Sequence, residues 1–151
     1  MKVEVAMIPK SGVLLEEQEP AQIMGESPDQ VEYKEPIHVR LLANLIGDTL
    51  VVQGTLGTAV VLKCNRCLKK FDYLVEVRDY CFSVQVKGDE TVDLTDSIRE
   101  DIILTLPMKR LCSPECKGLC PVCGQDRNVS PCDCKKSKAP GPFSQLDSLK
   151  L

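Results

Sequence analysis

The chain has 151 residues, 43% of them hydrophobic and 27% charged, with a formal net charge of −3. That length supports one ordinary core, and that balance excludes a disordered chain, a collagen and a miniprotein held by disulfides alone. No apolar run reaches the ~18 residues of a membrane span, and residues 1–12 show no cationic stretch followed by an apolar one, so neither export nor membrane insertion is expected.

Val3, Val5 and Met7 alternate with polar residues and predict a short opening strand that ends at Pro9 and Gly12. Residues 11–36 hold Pro20, Pro28, Pro36 and many Glu, which reads as loop with a turn of helix after Ser27-Pro28. From Ile37, two runs rich in Val, Leu and Ile flank Gly47-Asp48, the signature of a hairpin. Gly54 and Gly57 in the second run point to a bulge or bend. Phe71, Tyr73, Val75 and Val77 alternate with charged residues in a further strand, so residues 37–87 form an antiparallel meander with one buried face. A helix follows, with Thr95 as its N-cap, Leu94, Ile98, Ile102, Ile103 and Leu106 on its apolar face, and Pro107 as its stop. Phe143, Leu146 and Leu149 are spaced for a short C-terminal helix.

The fold class expected is α+β: an antiparallel β meander packed by one amphipathic helix, with a Cys-rich zinc-binding C-terminal segment. Its domains are residues 1–107, a β-rich core with the helix; residues 108–138, the Cys-rich segment; and residues 139–151, a tail docking on the core. The segment from Lys109 to Lys138 has little periodic hydrophobicity and needs another source of stability.

Nine cysteines without an export signal argue for metal or redox chemistry over structural disulfides. Eight fall in four close pairs: Cys64 and Cys67, Cys112 and Cys116, Cys120 and Cys123, Cys132 and Cys134. Cys64-Asn65-Arg66-Cys67 lies at a strand tip, and Gly124 after Cys123 lets the chain turn tightly, so both pairs read as knuckles holding zinc. Eight thiolates make two tetrahedral sites. Loop closure favours Cys120, Cys123, Cys132 and Cys134 as one site, with Cys64, Cys67, Cys112 and Cys116 as the other. The main competitor joins Cys112, Cys116, Cys120 and Cys123. Sites closed by four Cys leave no open position for hydrolysis.

Residues 1–60 carry four basic and nine acidic side chains, whereas residues 107–138 carry seven basic and three acidic. Lys63, Arg66, Lys69, Lys70, Lys109, Arg110, Lys117, Arg127, Lys135 and Lys136 are the candidate contacts for nucleic acid or a partner, or else they offset thiolate charge. Residues 11–36 of the acidic front could instead dock on a basic ribosomal protein. His38, the one histidine, reads as a surface or satisfied position, and Cys81 as a small buried hydrophobe. There is no Gly-rich phosphate loop and no catalytic triad, so no enzyme, no catalytic residue and no small-molecule substrate are expected.

Five passages carry a resemblance: Leu62-Lys63-Cys64-Asn65-Arg66-Cys67-Leu68, Tyr80-Cys81-Phe82-Ser83, Glu100 to Pro107, Cys116 to Gly124, and Pro142-Phe143 to Lys150. In this order they resemble the YceD family, bacterial and plastid proteins of large ribosomal RNA subunit accumulation. The resemblance implies a cytoplasmic, non-enzymatic accessory factor in ribosome biogenesis, supporting 23S ribosomal RNA. Its partners would be pre-ribosomal RNA or a large-subunit ribosomal protein, and its cofactor two zinc ions. Members with His at the positions of Cys112 and Cys116 that keep the Cys64 and Cys67 match suit the long-range site. Members lacking the Cys120 and Cys123 pair make the other site an accessory. The alternative function is a redox- or zinc-responsive regulator whose cysteine pairs release metal on oxidation.

Overall fold

A computed structural model describes residues 1–25, 31–88 and 90–134. The strands are β1 (Lys2–Glu4), β2 (Val13–Glu19), β3 (Glu32–Tyr33), β4 (Ile37–Ile46), β5 (Thr49–Lys63), β6 (Lys70–Gln85) and β7 (Thr91–Asp93), followed by helix α1 (Thr95–Thr105). β4, β5 and β6 form the expected antiparallel meander, with Ile46 opposite Thr49 at the Gly47-Asp48 hairpin. β2 pairs with β4, and β3 with the far end of β5, so the sheet has five strands. β1 leaves this sheet and pairs with β7 in a separate ribbon.

The strand β2 corrects the loop reading of residues 11–36. Its Leu14 is outward and its second half is Glu16-Glu17-Gln18-Glu19, so no alternation marks it; an edge strand tolerates such charge. The turn expected after Ser27-Pro28 and the C-terminal helix of residues 142–149 lie outside the described residues.

One face of the sheet is buried. Ile37, Val39, Leu41 and Ala43 of β4 point inward with Leu50, Val52, Leu56, Val60 and Leu62 of β5, and α1 covers them with Ile98 and Ile102. Ile103, expected on the apolar face of the helix, is instead 46% exposed. The phenol of Tyr80 donates to Ser97 Oγ at 3.1 Å and ties β6 to the helix. Thr95 is the first helical residue and not the N-cap: its backbone N–H and hydroxyl both donate to Asp93 Oδ1, at 2.9 and 2.6 Å.

The irregularity of the meander lies on β6. Gly54 is opposite Tyr80 but Leu56 is opposite Val77, so Arg78 and Asp79 together face Thr55. An extra residue in a strand reverses which side chains point inward. Phe71, Tyr73, Val75 and Val77 face the core before it; Tyr80, Phe82 and Val84 do so after it. That reversal corrects the reading of Cys81, which is exposed, with Gln53 Nε2 3.7 Å from its sulfur. Gly54 sits beside the bulge because a Cβ there would lie 2.1 Å from the Arg40 carbonyl oxygen.

Candidate metal centres

The β5–β6 connection is the first knuckle. Cys64 N–H donates to the Lys69 carbonyl at 2.8 Å, Leu68 N–H to the Cys64 carbonyl at 3.0 Å, and Arg66 N–H to Cys64 Sγ at 3.4 Å. The second knuckle repeats all three: Cys120 N–H to the Gln125 carbonyl at 2.8 Å, Gly124 N–H to the Cys120 carbonyl at 2.9 Å, and Val122 N–H to Cys120 Sγ at 3.4 Å. Each turn needs one residue in left-handed backbone after its second Cys. Gly124 supplies it at φ 73°, as the sequence leads one to expect, while in the first knuckle Leu68 is forced to φ 61°.

The eight paired cysteines gather into two groups, Cys64, Cys67, Cys112 and Cys116, and Cys120, Cys123, Cys132 and Cys134, with all sulfurs of a group within 4.8 Å of one another. This is the grouping favoured by loop closure, not the local competitor. None of the nine cysteines is in a disulfide. In the first group, Cys64 and Cys116 sulfurs are 3.8 Å apart and those of Cys67 and Cys112 3.6 Å apart. A tetrahedron with metal–sulfur bonds of ~2.3 Å has edges of about 3.8 Å, so these donors fit a divalent ion such as zinc.

The first group is the better shielded. Cys64, Cys67 and Cys116 are buried against Phe71 and Leu111, and only Cys112 is exposed. In the second group Cys120 is buried, Cys132 half-buried, and Cys123 and Cys134 exposed. Between Pro107 and Cys134 the buried residues are Cys116, Gly118 and Cys120 alone, so apolar packing contributes little to this segment.

The thiols of each group are driven apart in acidity. Burial pushes Cys64 up, but backbone N–H groups around the knuckle outweigh it and hold the thiol down at about 6. Cys120 is likewise held at about 6, first by the backbone N–H groups of Cys123 and Val122. Their neighbours are pushed the other way. Hydrogen bonding with Cys67 drives Cys112 up to about 12, and hydrogen bonding with Cys123 drives Cys134 up to about 12. A cation among four sulfurs removes this conflict by favouring every thiolate at once.

The basic residues separate into two sets. Arg66 reaches back to the Cys116 carbonyl at 2.8 Å and the Pro114 carbonyl at 3.4 Å, Lys69 pairs with Asp126 at 2.8 Å, and Lys70 pairs with Glu32. The Arg110 carbonyl accepts the Asn65 N–H at 2.8 Å. Lys63, Lys109, Lys117 and Arg127 are exposed, and Lys135 and Lys136 lie outside the described residues. His38 is exposed on β4. Asn128, whose side chain meets Cys116 Sγ from the loop of the second group, and Asp126, which holds that side chain, carry no signal in sequence beyond that of turn-forming residues.

Fold and site together define a small β-meander protein with two four-thiol centres. Residues 82–150 match the family described as large ribosomal RNA subunit accumulation protein YceD. The resemblance read from the sequence therefore holds, and the first knuckle lies ahead of the matched stretch. An uncharacterized protein of Mycobacterium tuberculosis is 32% identical over 94 residues, which are 52% of this chain and 45% of that protein. The Zea mays protein named large ribosomal RNA subunit accumulation protein YCED homolog 1, chloroplastic, is 39% identical over 55 residues, 36% of this chain and 19% of its own. The Bacillus subtilis protein YlbN is 26% identical over 127 residues, 76% of this chain and 74% of its own. The chain spans about half the length of the mycobacterial relatives it matches. No solved structure matches it. Among the described residues no helix is long and apolar enough to cross a membrane.

Proposed function

We propose that this chain is a non-enzymatic accessory factor for accumulation of large-subunit ribosomal RNA, acting in the cytoplasm and stabilised by two zinc ions. Cys64, Cys67, Cys112 and Cys116 hold one ion; Cys120, Cys123, Cys132 and Cys134 hold the other. The observation that carries the reading is the pair of closed four-sulfur groups, which supply structure and leave no position for a reacting water. In this reading residues 1–107 are the β-rich core and residues 108–138 the zinc-binding segment, while the tail of residues 139–151 lies outside the described residues.

Pre-ribosomal RNA is met through Lys63 at the end of β5 and, on the arm, through Lys109, Lys117 and Arg127 together with Lys135 and Lys136. Arg66, Lys69 and Lys70 are committed to contacts within the protein, and with Arg110 they shape the surface that the others present. Titration of a 23S ribosomal RNA precursor at rising salt tests this. Six phosphate contacts predict a log–log slope of roughly −4 to −5, and replacing Lys63, Lys109, Lys117 and Arg127 by Gln should flatten it by about 3. Salt-insensitive binding that survives the replacement would overturn the basic-residue contacts, and no binding to the precursor would transfer the role to a large-subunit ribosomal protein meeting the acidic edge strand β2.

The second reading, a redox- or zinc-responsive regulator, draws on the exposed sulfurs of Cys123 and Cys134. It requires zinc release and disulfide formation under mild oxidant, which the structural reading does not.

A further inference from the structure

The loop closed by the second group, residues 124–131, also furnishes hydrogen bonds to the first. Asn128 Nδ2 donates to Cys116 Sγ at 3.4 Å, and its Oδ1 accepts the Lys117 N–H at 2.7 Å. Asp126 Oδ1 accepts from Asn128 twice, from its backbone N–H at 2.9 Å and its side chain at 2.7 Å, which fixes the direction of the amide. The other carboxylate oxygen of Asp126 meets Lys69 Nζ at 2.8 Å, two residues beyond Cys67. Arg127 N–H donates to the Gly118 carbonyl at 3.0 Å, and Leu119 N–H to the Arg66 carbonyl at 3.0 Å, so one backbone path runs from loop to first knuckle. Gly118 permits this approach, since a Cβ there would lie 2.9 Å from the Arg66 carbonyl oxygen.

Little else holds that loop. From Gly124 to Pro131 no residue is buried, and only Asp126 and Ser130 are half-buried. Its shape rests on a few internal bonds, among them Gln125 Nε2 to Ser130 Oγ at 2.6 Å, and on closure by the cysteines at either end.

We infer that the two metal centres are coupled, with Asn128 as the positioning residue that transmits occupancy of the second group to the Cys116 sulfur of the first. The inference rests on metal binding by both groups. An ion in the second group closes loop 124–131 and so holds the amide of Asn128 against Cys116, where an N–H donor stabilises the thiolate as ligand. With the second group empty, the loop opens, Cys116 loses its donor and Lys69 its carboxylate, and the first ion is held less tightly. Linkage makes the effect reciprocal: the first ion, by fixing Cys116 and Lys117, raises the affinity of the second.

The test uses the full chain, native mass spectrometry to count zinc, and competition with a chromogenic chelator to measure the more tightly held ion. Cys132→Ser/Cys134→Ser removes half of the second group. It should retain one ion, bound on the order of 10–100-fold more weakly than the tighter ion of the wild type. Asn128→Ala, at an exposed position, should keep both ions while weakening the first centre about tenfold. In cobalt-loaded protein it should also move the sulfur-to-metal charge-transfer bands. Asn128→Asp keeps the acceptor for Lys117 but has no N–H for Cys116, and should shift the bands as Asn128→Ala does. Unaltered affinity of the first centre in all three variants, and unaltered bands in both Asn128 variants, with two ions in the wild type, would overturn the coupling and leave metal binding intact. No metal in the wild type would overturn both.

Discussion

Leu68 and Gly124 occupy equivalent places in two knuckles with the same hydrogen bonds, yet only Gly124 adopts its left-handed backbone without cost. Leu68 is 52% exposed, so its side chain recovers little through burial. Leu68→Gly relieves roughly 1–2 kcal/mol of backbone strain against the 0.5–1 kcal/mol that glycine loses in chain entropy. A net gain of about 0.5–1 kcal/mol is therefore expected in thermal unfolding of the metal-loaded protein. A loss of stability would mean that the Leu68 side chain holds the turn. The sequence marks Gly124 as a turn residue, but it gives Leu68 no such mark, because backbone imposed by the two cysteines before it leaves no signature in the residue itself. The same holds for Asn128, whose importance comes from the sulfur it meets.

At the scale of elements, the meander and helix are legible because alternation and three-to-four spacing record burial directly. What escapes is whatever breaks period: β2, an edge strand rich in Glu, and the extra residue of the bulge, which Gly54 marks from β5 but which lies at Arg78-Asp79 and turns Cys81 outward. The contact between β6 and α1 is anchored by Tyr80, whose phenol is buried and bonded to Ser97. Tyr80→Phe keeps the ring but leaves Ser97 without its donor, and a loss of about 1 kcal/mol is expected in chemical denaturation. Ile98→Ala, which opens space under the same helix, should cost roughly 2–5 kcal/mol. If Tyr80→Phe cost more than Ile98→Ala, the helix would be held by its polar contact rather than by its apolar face.

The molecule as a whole divides into a sheet that buries its own core and an arm with few buried residues, whose cysteines complete two groups that could hold metal. Removing metal with a chelator should expose the backbone amides of residues 110–134 and of the first knuckle to hydrogen exchange, with β4 and the middle of β5 still protected. Loss of protection throughout would mean that the sheet also depends on the ions. The pH dependence has a definite sign. In the metal-free chain Cys112 and Cys134 are pushed up to about 12, and Cys67 and Cys132 are also raised, so these thiols carry protons at neutral pH. Metal displaces those protons, and its affinity rises with pH; chelator competition should show tighter binding at pH 8 than at pH 6. The cysteine spacing announces this arm in the sequence. How the pairs combine rests on loop length alone until the fold brings the β5–β6 tip beside the segment leaving α1.

The central claim is that two separate four-sulfur centres hold this arm. Native mass spectrometry of protein purified without oxygen tests it most directly, with Cys64→Ser and Cys120→Ser beside the wild type. Two zinc ions per wild-type chain and one in each variant are expected. A chain with no zinc and with cysteines joined in disulfides would contradict the account.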